Sequence, residues 1–391
     1  MSGGRRRTVA VLFGGRSLEH DVSVVSGLQI VHALDPVRFD PVPVYLDQSL
    51  RWWTGEALWD RAKFGPAGPS RSMLHEVMLA PGFGTSALVP VGGGAPRAID
   101  AFIPVLHGTF GEDGCVQAAL ELAGAAYVGS GVLASAIGMN KRATKVLAQQ
   151  AGVPVVPWRS VRRGVLDEGG AWLGTVPAEV EAGFGWPVIV KPCNLGSSAG
   201  VSVARDAASL IAGLLTVFEY DTEAIIEPFV QQRLEVNVAV AGLETPVASV
   251  TEMPVTNDAA PLSFSEKYRR SGGKSVGSSQ GMASLARVLD PQALPHSLRE
   301  EAQRHAVTVF ATLGCEGIAR IDFLIDGATG ALYFNEINTV PGSLAFYLWS
   351  APPHYWTMTD LLSRLVERAE RRRAMLRGLQ RTPPTELSLL S

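Results

Sequence analysis

The chain has 391 residues, 47% of them hydrophobic and 18% charged, with a formal net charge of −3 at pH 7. At about 150 residues per domain that length suggests two or three domains, and the composition excludes a disordered or fibrous chain. A charge so close to neutral excludes a bulk electrostatic field that would favour nucleic acid or an anionic membrane.

Residues 1–7 are polar and basic, and the apolar stretch behind them covers only residues 9–13, so no signal peptide is predicted. That run, ending at Gly14-Gly15, reads as a strand. Val24, Val25, Leu28, Val31 and Leu34 follow at helical spacing. A second strand is expected over residues 39–45. Residues 47–97, rich in Gly, Pro and Trp, read as an insertion with little regular structure of its own. Residues 101–106 form another strand, and residues 116–123 a helix. This strand–helix–strand order predicts a parallel sheet with helices on its faces. The uncharged apolar segment at residues 122–140 is broken by Gly124, Gly129, Gly131 and Gly138, so no membrane span is expected there.

A second unit starts near Asn140, with a helix over 141–151 stopped by Gly152 and Pro154. A strand over 186–190 leads into a Gly/Ser loop at 192–200 and a strand at 201–204. A helix at 210–218 and a strand from 224 complete the unit. A third unit runs from about Glu235. It holds a strand at 236–241, a polar Ser/Gly-rich stretch at 263–284, a helix at 298–313, and strands at 318–325 and 331–337. Asp326-Gly-Ala-Thr-Gly330 between the last two signals a hairpin turn. Arg5 to Arg7 and Arg371 to Arg373 read as solvated basic faces. Cys115, Cys193 and Cys315 form no C-x-x-C pair and fit reduced thiols of a cytoplasmic protein.

Side chains at i and i+2 of a strand share a face. Arg320 and Asp322 therefore point one way, and so do Glu336 and Asn338. If even-numbered residues pair with even-numbered ones, all four gather on one face. Two carboxylates and a carboxamide suit Mg²⁺ that also binds phosphate, and Arg320 would neutralise a transferring phosphoryl group. A solvent-facing sheet with alternating charge fits the same spacing. The loop Lys191-Pro-Cys-Asn-Leu-Gly-Ser-Ser-Ala-Gly200 lets backbone N–H groups approach phosphate. It is not a Walker A loop, and a plain hairpin fits it as well. Gly273-Lys274-Ser275 lacks the upstream glycine of that motif. No H-E-x-x-H is present, so no zinc site is expected.

The segments LFGGRSLEHDVS, LHGTFGEDG, YVGSGVLASAIGMNK, VIVKPCNLGSSAGVSV, SEKY, ARIDF and FNEINTVPG follow one another from residue 12 to residue 342. In identity and order they resemble the signature segments of the D-alanine–D-alanine ligase family. The resemblance implies a three-domain ATP-grasp architecture: an N-terminal parallel-sheet domain and two α+β domains that clasp ATP. It divides the chain into an N-terminal α/β substrate-binding domain over 1–139, a central domain over 140–234, and a C-terminal catalytic domain over 235–391. The last would carry a lid at about 262–284 and a C-terminal tail.

The resemblance also implies the chemistry. ATP phosphorylates the carboxylate of a first D-alanine, and the amine of a second attacks the acyl phosphate. Glu19 would hold the first ammonium, and His107 would lie near the first alanine. Arg320 and the N–H of Gly342 would stabilise the oxyanion. Ser197 and Ser198 would lie over the substrates, with Lys267 and Tyr268 on the closing loop. Lys141, Lys191, Glu227 and Glu235 would bind the nucleotide. Asp322, Glu336 and Asn338 would hold two Mg²⁺, or Mn²⁺ in their place. A homodimer in the cytoplasm, serving peptidoglycan synthesis, would follow.

The sequence departs from the family at several places. Glu227 and Glu235 lie one residue further apart, and Ser271 to Ser284 extends the lid. After Gly342 the family has Met-Thr-Ser-His before Ser-Leu, whereas here Ser343-Leu344 follows at once. Either Ser343 and Leu344 anchor the acceptor's carboxylate from a shorter loop, or Phe346 and Tyr347 occupy that place without donors, which would be costly. The second case points to another acceptor, such as D-serine or D-lactate.

Overall fold

The computed structural model describes residues 5–65, 68–80, 84, 86–165, 172–242, 244–255 and 287–381. Its first sheet contains β1 (Arg7–Gly14), β2 (Phe39–Leu46), β3 (Trp52–Thr54), β6 (His75–Leu79), β7 (Ala87–Pro90), β8 (Arg97–Ala98) and β9 (Ala101–Pro104), in the order β8-β7-β6-β3-β2-β1-β9. A short hairpin, β4 (Phe64–Gly65) and β5 (Gly68–Pro69), stands apart. β1 is parallel to both β2 and β9, as the strand–helix order predicts. Residues 9–13 are wholly buried, because a parallel sheet is covered on both faces. On one face lies α1 (His20–Ala33). Gly27 brings it close, since a Cβ there would stand 2.4 Å from Cβ of Phe13.

The insertion differs from the sequence reading. Residues 47–97 contribute β3, β6, β7 and β8, antiparallel additions that extend the sheet beyond β2. Asp47 ties down their start. Its buried carboxylate accepts from the N–H groups of Ser49 and Arg51 and from Trp53 Nε1, and pairs with Arg71 at 2.8 Å.

The second sheet is antiparallel, in the order β10-β13-β11-β12: β10 (Arg159–Arg162), β11 (Val188–Pro192), β12 (Ser202–Ala204) and β13 (Glu223–Pro228). α5 (Trp172–Phe184) and α6 (Ala207–Val217) pack on it through Val176, Val180, Leu210 and Leu214. The third sheet runs β16-β15-β14-β17-β18: β14 (Leu234–Gly242), β15 (Pro246–Pro254), β16 (Arg287–Leu289), β17 (Gly317–Ile325) and β18 (Leu332–Asn338). The helix His296–Thr312 covers one face, with Ala302, Ala306, Val309 and Phe310 against Val238, Val240, Ala319 and Ile321.

The chain's end packs on its beginning. Leu361, Leu362, Leu365 and Val366 of the helix Met358–Arg377 share a core with Val9, Val11 and Ile103 of the first sheet. The arginine run on that helix is not a solvated face throughout. Arg371 is exposed, but the guanidinium of Arg372 lies 4.9 Å from the Tyr127 ring centroid, and Arg373 donates to the Gly124 carbonyl at 2.7 Å. All three cysteines are free thiols, with Cys193 and Cys315 buried and Cys115 exposed. Among the described residues no helix is long and apolar enough to cross a membrane.

Candidate active site

The hairpin β17–β18 pairs even-numbered residues with even-numbered ones: Arg320 faces Asn338, and Asp322 faces Glu336. A bulge follows, because Phe323 pairs with Phe334 and leaves Asn335 as the extra residue. Arg320 grips Asp322 bidentately, Nε to Oδ1 and Nη2 to Oδ2, both at 2.7 Å. Asn338 Nδ2 donates to Asp322 Oδ2 at 3.0 Å. Burial pushes the Asp322 carboxyl up to about 6 against the pull of Arg320, and Glu336 and Glu235 add to the rise. The polar row continues across the sheet, since Asp322 faces Asn237 on β14 and Asn237 faces Glu252 on β15.

Among the described residues no three His, Cys, Asp or Glu side chains are grouped to hold a metal. The candidate donors are two carboxylates, Asp322 and Glu336, and the carboxamide of Asn338. They fit a hard divalent cation chemically: all three offer oxygen, and the neighbouring negative charge that raises Asp322 is what such a cation relieves.

Three ammonium groups stand beside this hairpin. α4 (Lys141–Gln150), which follows α2 (Cys115–Leu122) and α3 (Val132–Met139), is capped by Asn140, whose side chain accepts from the N–H of Ala143. One turn apart on α4, Lys141 and Lys145 share a face. Lys141 Nζ lies 3.1 Å from Glu336 Oε2 and donates to the Leu195 carbonyl at 2.5 Å. Lys145 Nζ lies 2.7 Å from Glu227 Oε1, and Lys191 Nζ 2.7 Å from Glu227 Oε2. Lys191 also donates to Asn335 Oδ1 at 3.1 Å, which gives the bulge a role. Although burial pushes the Glu227 carboxyl up, Lys145 and Lys191 hold it down, to about 2. Burial pulls the Lys145 ammonium below the usual lysine range, against the pull of Glu227. Glu235 lies on β14, on the same face as Asn237 and Asp322.

A third group joins two sheets. Ser197, in the loop after β11, donates to Glu19 at the start of α1. Gly108 makes room for that carboxylate, since a Cβ there would come 2.9 Å from Glu19 Oε2. Ser197 and Ser198 both adopt left-handed backbone, φ 53° and 58°. Glu112, from the same loop as Gly108, is buried. Burial pushes its carboxyl up and Glu19 adds to the rise, while the Gly108 and Val340 N–H groups and Arg320 oppose it and favour the carboxylate. Burial likewise pulls the His107 imidazole down to about 4.

The segment after Gly342 turns tightly, with Ser343, Leu344 and Ala345 at φ 50°, 51° and 48°. Ser343, expected to anchor an acceptor, packs against α1. It is fully buried, and its hydroxyl donates to Gln29 Oε1 of α1 at 2.6 Å. Leu344 is buried in the core shared with the first sheet. The aromatic pair is not without donors either. The Arg287 guanidinium lies 3.7 Å from the Tyr347 ring centroid and donates to Glu252 at 3.0 Å. Lys267 and Tyr268, with the whole expected lid, lie outside the described residues.

Two family models match: D-ala D-ala ligase N-terminus over residues 8–130, and D-ala D-ala ligase C-terminus over residues 147–367. The chain belongs to the D-alanine–D-alanine ligase family. It is 40% identical over 380 residues to D-alanine–D-alanine ligase A of Bradyrhizobium diazoefficiens, covering 95% of this chain and 97% of that one. It is 36% identical over 400 residues to the D-alanine–D-alanine ligase of Kineococcus radiotolerans, covering 96% and 100%. Among solved structures, the D-alanine–D-alanine ligase of Coxiella burnetii superposes with a TM-score of 0.76 at 25% identity, covering 95% and 97%. The VanG D-Ala:D-Ser ligase of Enterococcus faecalis superposes with 0.73 at 25% identity, covering 93% and 100%. The fold is therefore ATP-grasp, and the family is one of ATP-dependent, ADP-forming ligases.

Several residues of the site escaped the sequence reading. Lys145 was signalled by its i+4 spacing from Lys141. Asn335 becomes visible only through the bulge. Glu112 sat inside a quoted segment, with nothing in the spacing to separate it from Asp113. Ser26 and Gln29, one turn apart on α1, looked like ordinary polar helix positions.

Proposed function

We propose that this ligase joins two D-alanine molecules to give D-alanyl-D-alanine for peptidoglycan precursors. The carboxylate of the first attacks the γ-phosphorus of ATP, forming an acyl phosphate and releasing ADP. The amine of the second attacks the acyl carbon, and the tetrahedral intermediate expels phosphate as the amine loses a proton. Glu19, with Ser197 upon it, holds the first ammonium. Arg320 and the N–H of Gly342 meet the oxyanion, a device worth about 3–4 kcal/mol per donor. Lys141 and Lys191, with Glu227, Glu235 and Ser198 around them, receive the nucleotide. Asp322, Glu336 and Asn338 would hold two Mg²⁺, or Mn²⁺ in their place, which would neutralise phosphate charge.

The observation that carries the reading is the meeting of Glu19 and Ser197 against Gly108, whose N–H shares the Glu112 carboxylate with the Val340 N–H just beyond the Arg320–Asn338 hairpin. This supports an ammonium site close to a carbonyl-activating guanidinium. Phosphate release measured with ATP and D-alanine alone, then with D-serine or D-lactate added, tests it. Turnover with D-alanine alone is expected. If phosphate appears only with a second compound, that compound is the acceptor and D-alanine–D-alanine synthesis fails. The same reading implies a cytoplasmic homodimer, which light scattering checks as twice the chain's mass.

A further inference from the structure

We propose that Glu112 is a positioning residue for the ligation: with His107, Ser26 and Gln29 it clasps the loop at 340–343 and so fixes where the N–H of Gly342 points. The proposal rests on the ligase reading above, since it is that reading which gives Gly342 a task.

The clasp closes at four points. Glu112 Oε1 accepts from the Val340 N–H at 3.0 Å, and its Oε2 accepts from the Gly108 N–H at 2.7 Å. One carboxylate therefore ties a loop of the first sheet to the end of the catalytic hairpin. His107 Nδ1 lies 2.8 Å from the Val340 carbonyl. Ser26 Oγ accepts from the Ser343 N–H at 3.0 Å, and Gln29 Oε1 accepts from the Ser343 hydroxyl at 2.6 Å. Both flanks of Pro341-Gly342 are thus gripped from the first sheet's side.

The directions of these bonds agree with one another. A carbonyl only accepts, so His107 Nδ1 carries the hydrogen and Nε2 is the acceptor. Ser26 Oγ, 3.5 Å from Nε2 and already accepting from Ser343, has its own hydrogen left to turn toward it. Donor meets acceptor along the whole path from Ser343 to Gly108. Every side chain in that path belongs to α1 or to the loop at 107–112, and both Val340 groups and both Ser343 groups are engaged by them.

The loop needs such a hold. Ser343, Leu344 and Ala345 sit in left-handed backbone, φ 50°, 51° and 48°, which is disfavoured by about 1–2 kcal/mol per residue. Such conformations persist when the surroundings over-determine them. A backbone donor aimed at a developing oxyanion acts only from the right distance, so a loop released at Val340 loses transition-state binding while the substrate sites stay formed.

The test is Glu112→Gln. The amide keeps the shape but sets an NH₂ group against one of the two N–H donors. A fall in kcat of about tenfold to a hundredfold is expected. Affinity for a phosphinate analogue of the tetrahedral intermediate should fall in the same proportion, while KM for ATP and for the first D-alanine stays within about twofold. A kcat within about twofold of the parent, or a KM for ATP that climbs as kcat falls, overturns the proposal. Ser26→Ala, which removes one grip without touching a charge, should give the same pattern more weakly, and serves if Glu112→Gln does not fold. Hydrogen exchange at the Val340 and Ser343 amides reads the clasp without turnover. It should quicken in Glu112→Gln, and unchanged exchange sinks the clasp. A parent enzyme that releases no phosphate with D-alanine would instead sink the ligase reading, leaving the exchange result to decide the clasp.

Discussion

Asp322 and Glu336 face each other across two strands, and their two charges need a cation between them or near them. Arg320 answers for Asp322, and Lys141 stands at Glu336. Removing one carboxylate should therefore cost activity far more than stability. Glu336→Gln is the cleaner variant, because Asp322→Asn strips Arg320 of a bidentate partner, whereas Lys141 keeps its bond to the Leu195 carbonyl when Glu336 is neutralised. Phosphate release at saturating Mg²⁺ should fall about a hundredfold or more, as expected for the loss of several kcal/mol of charge stabilisation, with an unchanged circular dichroism spectrum. Near-normal turnover would take Glu336 out of the proposed metal site. Glu227 shows the opposite balance. It lies buried between Lys145 and Lys191, so Glu227→Gln leaves buried ammonium groups unpaired and should destabilise the fold by about 3–5 kcal/mol. Adding Lys145→Met should recover part of that in denaturant melts. The fold holds the Glu227 carboxyl at about 2, well below its ordinary value, so its contribution is full above the ordinary carboxylate range and is lost as pH falls toward 2. The gap between parent and Glu227→Gln should narrow over that acid range. A gap independent of pH would mean the pair does not titrate as a unit.

Elements are positioned by where the chain can come close. α1 reaches β1 because Gly27 has no side chain, and the Ser23 hydroxyl bridges the Gly14 N–H and the Val105 carbonyl beneath it. Gly27→Ala would overpack Phe13 and should cost about 1–3 kcal/mol. Because α1 carries Ser26 and Gln29, kcat should fall as well, and a melting temperature equal to the parent's would show that the contact yields freely. The hairpin was legible in the sequence as two strands with a turn between, but its even-to-even pairing was only a condition there, and the bulge at Asn335 gave no signal. The insertion was not legible. β3, β6, β7 and β8 have only two to five residues each, too few to show a period, and they are strands because β2 offers them an edge. The arginine run at 371–373 looks solvated in one dimension, since Tyr127 and the Gly124 carbonyl that hold it are some 245 residues away. The clasp on Val340 was invisible for the same reason: its two halves lie more than 220 residues apart.

At the scale of the whole molecule, the helix Met358–Arg377 decides whether the first and third sheets behave as one body. It opens with a capping box between Thr357 and Asp360, so its start is fixed locally. From there it turns Leu361, Leu362, Leu365 and Val366 into the core that also holds Val9, Ile103, Ala239 and Trp349, residues from both sheets and from the loop after Gly342. Polar ties run alongside: Arg7 pairs with Glu370 at 2.7 Å, and the Thr359 hydroxyl donates to the Ala33 carbonyl at 2.8 Å. Leu362 is wholly buried in this seam, so Leu362→Ala should cost about 2–5 kcal/mol, the range for a truncated core leucine. Because the seam is shared, the loss should appear as one earlier transition, with near-UV circular dichroism, far-UV circular dichroism and activity falling together. A first sheet with its own independent core would behave otherwise: activity would go at a lower temperature while most secondary structure stayed. Two separable transitions in Leu362→Ala would show that the helix only bridges two autonomous units.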